Sequence, residues 1–323
     1  MVTDQEVRSS KGLLTFFIIA IALTLLRLVL PYIVLDPQSA LFVSRFLSIF
    51  FLGLPILAIF RAADFDWTWK KAAIILGAGV CAHLGIVLIL RNVKLEGIGL
   101  VSVLLATGNL GLMVWTLGLG ALLALIVKDR NMILPMSAIL AGLDCFYVFT
   151  PSGPVQTIIT KAPKEFRDVT YKIPTVGSVE PLAFVGPADF IFLAMFFIAI
   201  YRFKMRTRET LLWVLPVLLV YLLTVLLFGG AKIGPISLGM LPMLVPIGLT
   251  ILIVNWHEFK MTASERLMTL VVCIIAIGLA LAGIYLAKLD ADKRPRLPAG
   301  SSTLEIDQEA PKSRMTLPPS QQR

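Results

Sequence analysis

Charged residues, histidines and cysteines are all scarce in this chain of 323 residues. Only 15% of the residues are charged, 58% are hydrophobic, and the mean hydropathy is +0.88. That composition excludes a soluble globular domain. The two histidines argue against a metal-dependent hydrolase, and residue 261 is Met, so no His-Glu-x-x-His zinc site follows His257. The three cysteines show no paired spacing, which favours packing roles over disulfides or metal ligands.

Long apolar runs dominate instead, and about twenty apolar residues are enough to span a bilayer as a helix. The runs of this length are Gly12–Leu35, Leu41–Phe60, Ala72–Leu90, Ile98–Val127, Met132–Thr150, Pro181–Tyr201, Leu211–Phe228, Leu238–Asn255 and Leu267–Ala287. The fourth run is too long for one ordinary span and contains the turn signal Thr107-Gly108-Asn109, so we expect two short helices there. The sequence therefore predicts an all-α polytopic membrane protein with ten spans, or nine if the fourth run is one long tilted helix.

The expected organisation follows from these runs. It comprises an N-terminal cap (1–11), N-terminal transmembrane helices (12–130), a core (131–256) with a loop (151–180), an additional C-terminal helix (257–288) and a disordered, Pro-rich tail (289–323). The net charge of +9 lies mostly in loops and tail, which suits anionic lipid headgroups. The lipid bilayer is thus the expected partner, and nothing indicates nucleic acid. The pattern specifies no oligomeric state.

Two aspartates stand alone inside apolar runs, Asp144 in Met132–Thr150 and Asp189 in Pro181–Tyr201. A carboxylate in hydrocarbon costs several kcal/mol unless it is paired, wetted or protonated, so each acid is a candidate functional group. Both lie beside an interruption of the backbone: Pro151 follows the first acid, and Gly186-Pro187 precedes the second. Broken backbone at membrane depth occurs only where protein or a water-filled cavity receives it.

Two carboxyls that meet cannot both ionise, so they share a proton. The ionised member can take a proton from water while the other protonates an amide carbonyl. A third interruption, with Pro242 and Pro246 one helical turn apart, leaves backbone carbonyls free. Such a stretch can hydrogen-bond an extended peptide. The alternation in Val169–Ile173 is typical of a short strand, which can also pair with an unwound peptide.

These segments resemble the presenilin and signal peptide peptidase family of intramembrane aspartyl proteases. Asp144 is followed by Phe149–Pro154, then come Gly186–Phe192 and Pro242-Met243-Leu244, in the order of that family's Tyr-Asp, Gly-x-Gly-Asp and Pro-Ala-Leu motifs. The similarity covers roughly residues 131 to 255. It identifies the chain as a divergent, prokaryotic-type member, and it implies a presenilin-like bundle of nine to ten transmembrane helices.

The resemblance implies that Asp144 and Asp189 form a catalytic dyad that needs no metal and no cofactor. It implies that the dyad hydrolyses peptide bonds in transmembrane helices or signal-peptide remnants. The residues implied to shape the site are Gly186, Pro187, Ala188, Pro242, Met243 and Leu244.

Three positions depart from the family's motifs. Leu143 replaces the tyrosine before the first acid, Ala188 replaces the glycine before the second, and Met243 replaces the alanine of the third motif. A further apolar run, Leu267–Ala287, has no counterpart in the family's nine-span core. An impaired enzyme that binds helices without cutting them is therefore an alternative.

Two more alternatives stay open. Arg27 and Arg45 lie in apolar runs and could each neutralise one acid, which would give the aspartates a structural role. Aspartate pairs beside broken helices also form proton or cation relays in transporters, although the interruptions here show no internal repeat. Elsewhere, the small residues Gly118, Gly120 and Ala121 indicate close helix packing.

Overall fold

The structure is a computed structural model that describes residues 4–93, 97–151, 153–233, 236–237 and 239–293. These residues form eleven α-helices and two small antiparallel sheets. In chain order the elements are α1 (Asp4–Val29), α2 (Pro37–Ala62), α3 (Trp69–Asn92), α4 (Ile98–Ile126), α5 (Ile133–Phe149), α6 (Pro154–Lys161), α7 (Pro163–Val169), β1 (Tyr171–Thr175), β2 (Ser178–Val185), α8 (Pro187–Arg202), α9 (Thr207–Phe228), β3 (Lys232–Ile233), β4 (Ile236–Ser237), α10 (Leu244–Asn255) and α11 (Ala263–Lys293).

Seven helices in the described part of the chain are long and apolar enough to cross a membrane: α1, α2, α3, α4, α5, α9 and α11. They indicate a multi-pass membrane protein. The apolar helices α8 and α10 have only 16 and 12 residues. Their lengths of about 24 Å and about 18 Å fall short of the roughly 30 Å of hydrocarbon in a bilayer. Each of these two helices is preceded by non-helical chain, and their first turns carry much of the candidate site.

The fourth apolar run forms one continuous helix, α4, so the expected break is wrong, and the count of nine to ten spans is not confirmed. Thr107 does not start a turn, because its hydroxyl donates to the carbonyl of Val103 within the helix. The carbonyl of Gly108 lies 2.9 Å from Nδ1 of buried His83 in α3. The side chain of Asn109 reaches the backbone of β1. Gly108 and Asn109 therefore serve contacts between elements, which a single sequence window cannot distinguish from a turn signal.

Glycines allow α4 to pack tightly against both α3 and α8. A Cβ added at Gly118 would lie 2.5 Å from the backbone nitrogen of Leu76 in α3, and one at Gly120 would lie 2.5 Å from the carbonyl oxygen of Ile191 in α8. Ala121 is fully buried in the same region. The prediction of close helix packing at these small residues is confirmed, and it places α8 in the centre of the bundle.

Helix α11 packs along α5 in the same direction. Gly142 of α5 faces the backbone of Ala276, while Gly283 of α11 faces Cys145 and Phe146 one turn further along α5. Because α11 runs from Ala263 to Lys293, residues 289–293 are helical and the predicted tail boundary is wrong; residues 294–323 lie outside the described residues. Likewise α1 begins at residue 4, so most of the predicted cap belongs to it, and residues 1–3 lie outside the described part.

A β-hairpin precedes α8. Strand β1 pairs antiparallel with β2, with Tyr171 opposite Val185 and Lys172 opposite Phe184. The predicted strand therefore exists, two residues later than its alternation indicated. The predicted span Pro181–Tyr201 is wrong in its first part, because Ser178–Val185 is a strand. The helix starts only at Pro187, a residue whose fixed φ and missing N–H suit the first helical position.

Candidate active site

Asp144 lies near the end of α5 and accepts a hydrogen bond from the start of α10. The backbone N–H of Leu244 donates to Oδ2 of Asp144 at 2.8 Å, although the two residues are 100 positions apart. Leu244 is the first residue of α10, and the first N–H groups of a helix have no partner within it. The carboxylate therefore satisfies one of these donors and lies at the end of the helix dipole that favours negative charge.

Asp189 lies in the first turn of α8, where its own N–H donates to the carbonyl of Gly186 at 3.3 Å. Its Oδ2 atom would lie 3.1 Å from a Cβ added at Gly186. A side chain at position 186 would therefore crowd the carboxylate. The absence of a side chain at Gly186 is what leaves room for this orientation of Asp189, and Pro187 then begins the helix.

The structure brings the two acids together. Asp144 and Asp189 are close enough to interact electrostatically, and both are only partly buried. Neither Arg27 nor Arg45 forms an ion pair with either acid, and across the described ranges no Lys or Arg nitrogen lies within 4.0 Å of these carboxylates. Pairing with a buried arginine is therefore not what the structure shows. The two like charges repel, so the arrangement favours one shared proton.

The site contains a tyrosine that sequence reasoning missed. Tyr221 of α9 lies within electrostatic range of both carboxylates and of Cys145. Its hydroxyl donates to the carbonyl of Pro242 at 2.6 Å. The available signal was a single phenol in an otherwise apolar membrane-length helix, because a buried hydroxyl in such a place needs a partner.

The remaining predicted site residues differ in their proximity to the acids. Pro242 is buried and joined to the site through Tyr221, while Met243 is partly buried against the core. Leu244 contacts Asp144 through its backbone rather than its side chain. Ala188 is exposed.

Side chains of α1 and α4 hydrogen-bond the backbone of β1 in the hairpin that precedes α8. The side-chain amide of Asn109 donates to the carbonyl of Lys172 at 2.9 Å and accepts from its N–H at 3.3 Å, as a neighbouring strand would. Buried Arg27 donates to the same carbonyl at 2.5 Å. Burial, together with the charge of Arg27, lowers the pKa of the Lys172 side chain to about 8, and Asp168 opposes this shift.

A shallow groove of about 390 Å³ opens on the outer face of α9 beside the site. Its lining is mostly apolar and comprises Trp213, Pro216, Val217, Val220, Tyr221 and Thr224. Tyr221 is thus shared between the groove and the surroundings of the two carboxylates. In the part of the chain that the structure describes, no group of three or more His, Cys, Asp or Glu residues could hold a metal ion.

Comparison with known proteins adds no family assignment. No protein-family model, curated protein or solved structure matches this chain. The resemblance to presenilins and signal peptide peptidases therefore rests on the motif residues alone.

Proposed function

We propose that this protein is an intramembrane aspartyl protease that hydrolyses peptide bonds of transmembrane helices or signal-peptide remnants. The observation that carries the proposal is the proximity of Asp189, in the first turn of α8, to Asp144, near the end of α5 and bonded to the first turn of α10. Neither acid has an arginine or lysine partner among the described residues. In this proposal the protein acts without metal or cofactor, in a prokaryotic plasma membrane.

The arrangement supports different protonation states, and therefore different roles, for the two acids. The hydrogen bond from Leu244 N–H and the start of α10 favour the negative charge on Asp144. Asp189 then holds the shared proton. Ionised Asp144 takes a proton from a water molecule that attacks the peptide carbon, while Asp189 protonates the carbonyl oxygen. As the resulting tetrahedral diol collapses, the C–N bond breaks, Asp144 gives its proton to the leaving amine, and Asp189 takes a proton back from a hydroxyl of the diol. Each carboxyl therefore acts once as an acid and once as a base.

The hairpin supports presentation of an unwound substrate. The N–H and C=O of Lys172 point to Asn109, away from β2. In an antiparallel pair, the backbone groups of the residue directly opposite then point outward as well. That residue is Phe184, five positions before Asp189. Strand β2 therefore offers an open edge that leads to the dyad, and an extended peptide can add to it as a further strand.

Two of the three departures from the family motifs leave these contacts in place. The alanine at position 188 is exposed, whereas Gly186, which makes room for the Asp189 carboxylate, is retained. The bond to Asp144 comes from the backbone of Leu244, so it does not depend on the side chain of Met243. These observations favour an active enzyme over an impaired helix-binding protein.

The test is cleavage of a transmembrane-helix reporter by purified protein in detergent and in lipid vesicles. The variants are Asp144→Asn and Asp189→Asn, which change charge while nearly preserving size. Asp66→Asn is the matched control, because Asp66 pairs with Lys71 at 3.1 Å in the exposed loop before α3. We expect cleavage by the unchanged protein and by the control, and none by either dyad variant.

Other outcomes would refute the proposal or favour one of the alternative functions. Cleavage that survives both dyad substitutions would refute the proposed chemistry. An unchanged protein that does not cut, yet moves protons or cations across vesicles in a manner that Asp144→Asn abolishes, would favour the transporter alternative. Retention of a helical partner with neither activity would favour a binding protein.

A further inference from the structure

Tyr221 joins three parts of the site that are distant in sequence. It lies on α9, its hydroxyl donates to the carbonyl of Pro242 at 2.6 Å, and it lies within electrostatic range of Asp144 and Asp189. Two residues after Pro242, the N–H of Leu244 donates to Asp144. One short stretch of backbone thus links the phenol to the first carboxylate.

We propose that Tyr221 is a positioning residue of the dyad, which fixes the segment Pro242–Leu244 so that the Leu244 N–H stays on Asp144. The catalytic consequence rests on the proposed protease function, whereas the structural coupling does not.

The backbone around Pro242 has few hydrogen bonds of its own, so a bond from another helix is needed to fix its position. Residues 239–243 are non-helical, and α10 begins only at Leu244. Pro242 has no N–H, and the first N–H groups of α10 have no partner within the helix, so the segment has few bonds of its own. The hydroxyl of Tyr221 supplies a contact from a separate, long helix. Without it, the first turn of α10 can move relative to α5, and the hydrogen bond to Asp144 weakens.

The same geometry argues against Tyr221 as the proton donor to the substrate. A phenol has one O–H to donate, and that proton already lies in the bond to the Pro242 carbonyl. The residue therefore acts through the backbone of Leu244 rather than on the reacting atoms.

The experiment compares Tyr221→Phe with Tyr285→Phe. Both remove only a hydroxyl, and Tyr285 is an exposed residue of α11, 61% accessible. Hydrogen–deuterium exchange is followed in peptides that cover residues 240–248. We expect the Leu244 amide to exchange about fivefold faster in Tyr221→Phe, the effect of losing about 1 kcal/mol of hydrogen bonding, and to stay unchanged in Tyr285→Phe. Equal exchange in all three proteins overturns the inference.

Kinetics on the reporter separate positioning from general destabilisation. Tyr221→Phe is expected to lower kcat about tenfold with KM within about twofold, because substrate contacts are retained. An unchanged kcat together with faster exchange overturns the catalytic part of the inference. If the unchanged protein does not cleave, the proposed function fails, while the exchange result still decides whether Tyr221 holds the segment.

Discussion

Substitution of Gly120 by alanine tests how tightly α8, and with it Asp189, is held. The added Cβ would lie 2.5 Å from the carbonyl oxygen of Ile191 and 2.6 Å from Cβ of Ala194. Ordinary contacts between such atoms begin near 3.5 Å, so α4 and α8 have to separate locally by about 1 Å. Overpacking of this kind costs about 1–3 kcal/mol. The higher helix propensity of alanine offsets up to about 1 kcal/mol of this loss of stability.

We therefore expect Gly120→Ala to lower the melting temperature of the purified protein. A displacement of about 1 Å at a catalytic group can cost about a hundredfold in rate, so reporter cleavage is expected to fall by up to that factor. The two readouts are independent: thermal unfolding, followed by intrinsic fluorescence in detergent, tests the packing alone. Cleavage tests whether α8 carries a catalytic group.

Gly77→Ala is the matched control. Gly77 lies inside α3, and a Cβ added there meets nothing within 4 Å. The Gly77→Ala variant gains the same helix propensity without a clash. Its melting temperature should therefore equal or exceed that of the unchanged protein, and its cleavage of the reporter should be normal. If Gly120→Ala behaves like Gly77→Ala, the close approach of α4 and α8 is wrong.

Two further predictions concern the hairpin. Asn109→Leu removes both side-chain bonds to Lys172 and leaves the N–H of Lys172 without its partner, at a cost of about 1–3 kcal/mol. Its melting temperature should fall below that of the control Thr107→Val, which loses only a bond within α4. Because burial lowers the pKa of Lys172 to about 8 from 10.5, the unfolded chain binds this proton more readily, and stability should rise between pH 8 and pH 10.5. Lys172→Met should flatten that rise in melting temperature, and an undiminished rise would contradict the buried position of the ammonium group.

The apolar runs and the two isolated acids could be predicted from the sequence, because both depend only on neighbouring residues in the chain. Hydropathy over about twenty residues and the cost of a charge in hydrocarbon depend only on the residues themselves. Proline interruptions are equally local, so the break before Asp189 was predicted, as was the end of α5 after Asp144. The short strand was also detectable, because alternation is a property of a few consecutive residues.

The continuity of α4 and the site's internal contacts were decided by the tertiary structure. Thr107-Gly108-Asn109 has the composition of a turn, but the carbonyl of Gly108 contacts α3 and the side chain of Asn109 contacts β1, which lie elsewhere in the sequence. The start of α8 likewise moved to Pro187 because the residues before it pair with β1.

Sequence alone thus determined the membrane class of the protein and the residues whose charge makes them candidates for chemistry. The tertiary structure decided which groups surround them. The N–H of Leu244 reaches Asp144 across 100 positions, and Tyr221 enters from a helix that showed no motif. Both contacts end on backbone atoms, which every residue type carries. The sequence could therefore mark Tyr221 as a phenol that needs a partner, but it could not identify that partner or the donor to Asp144.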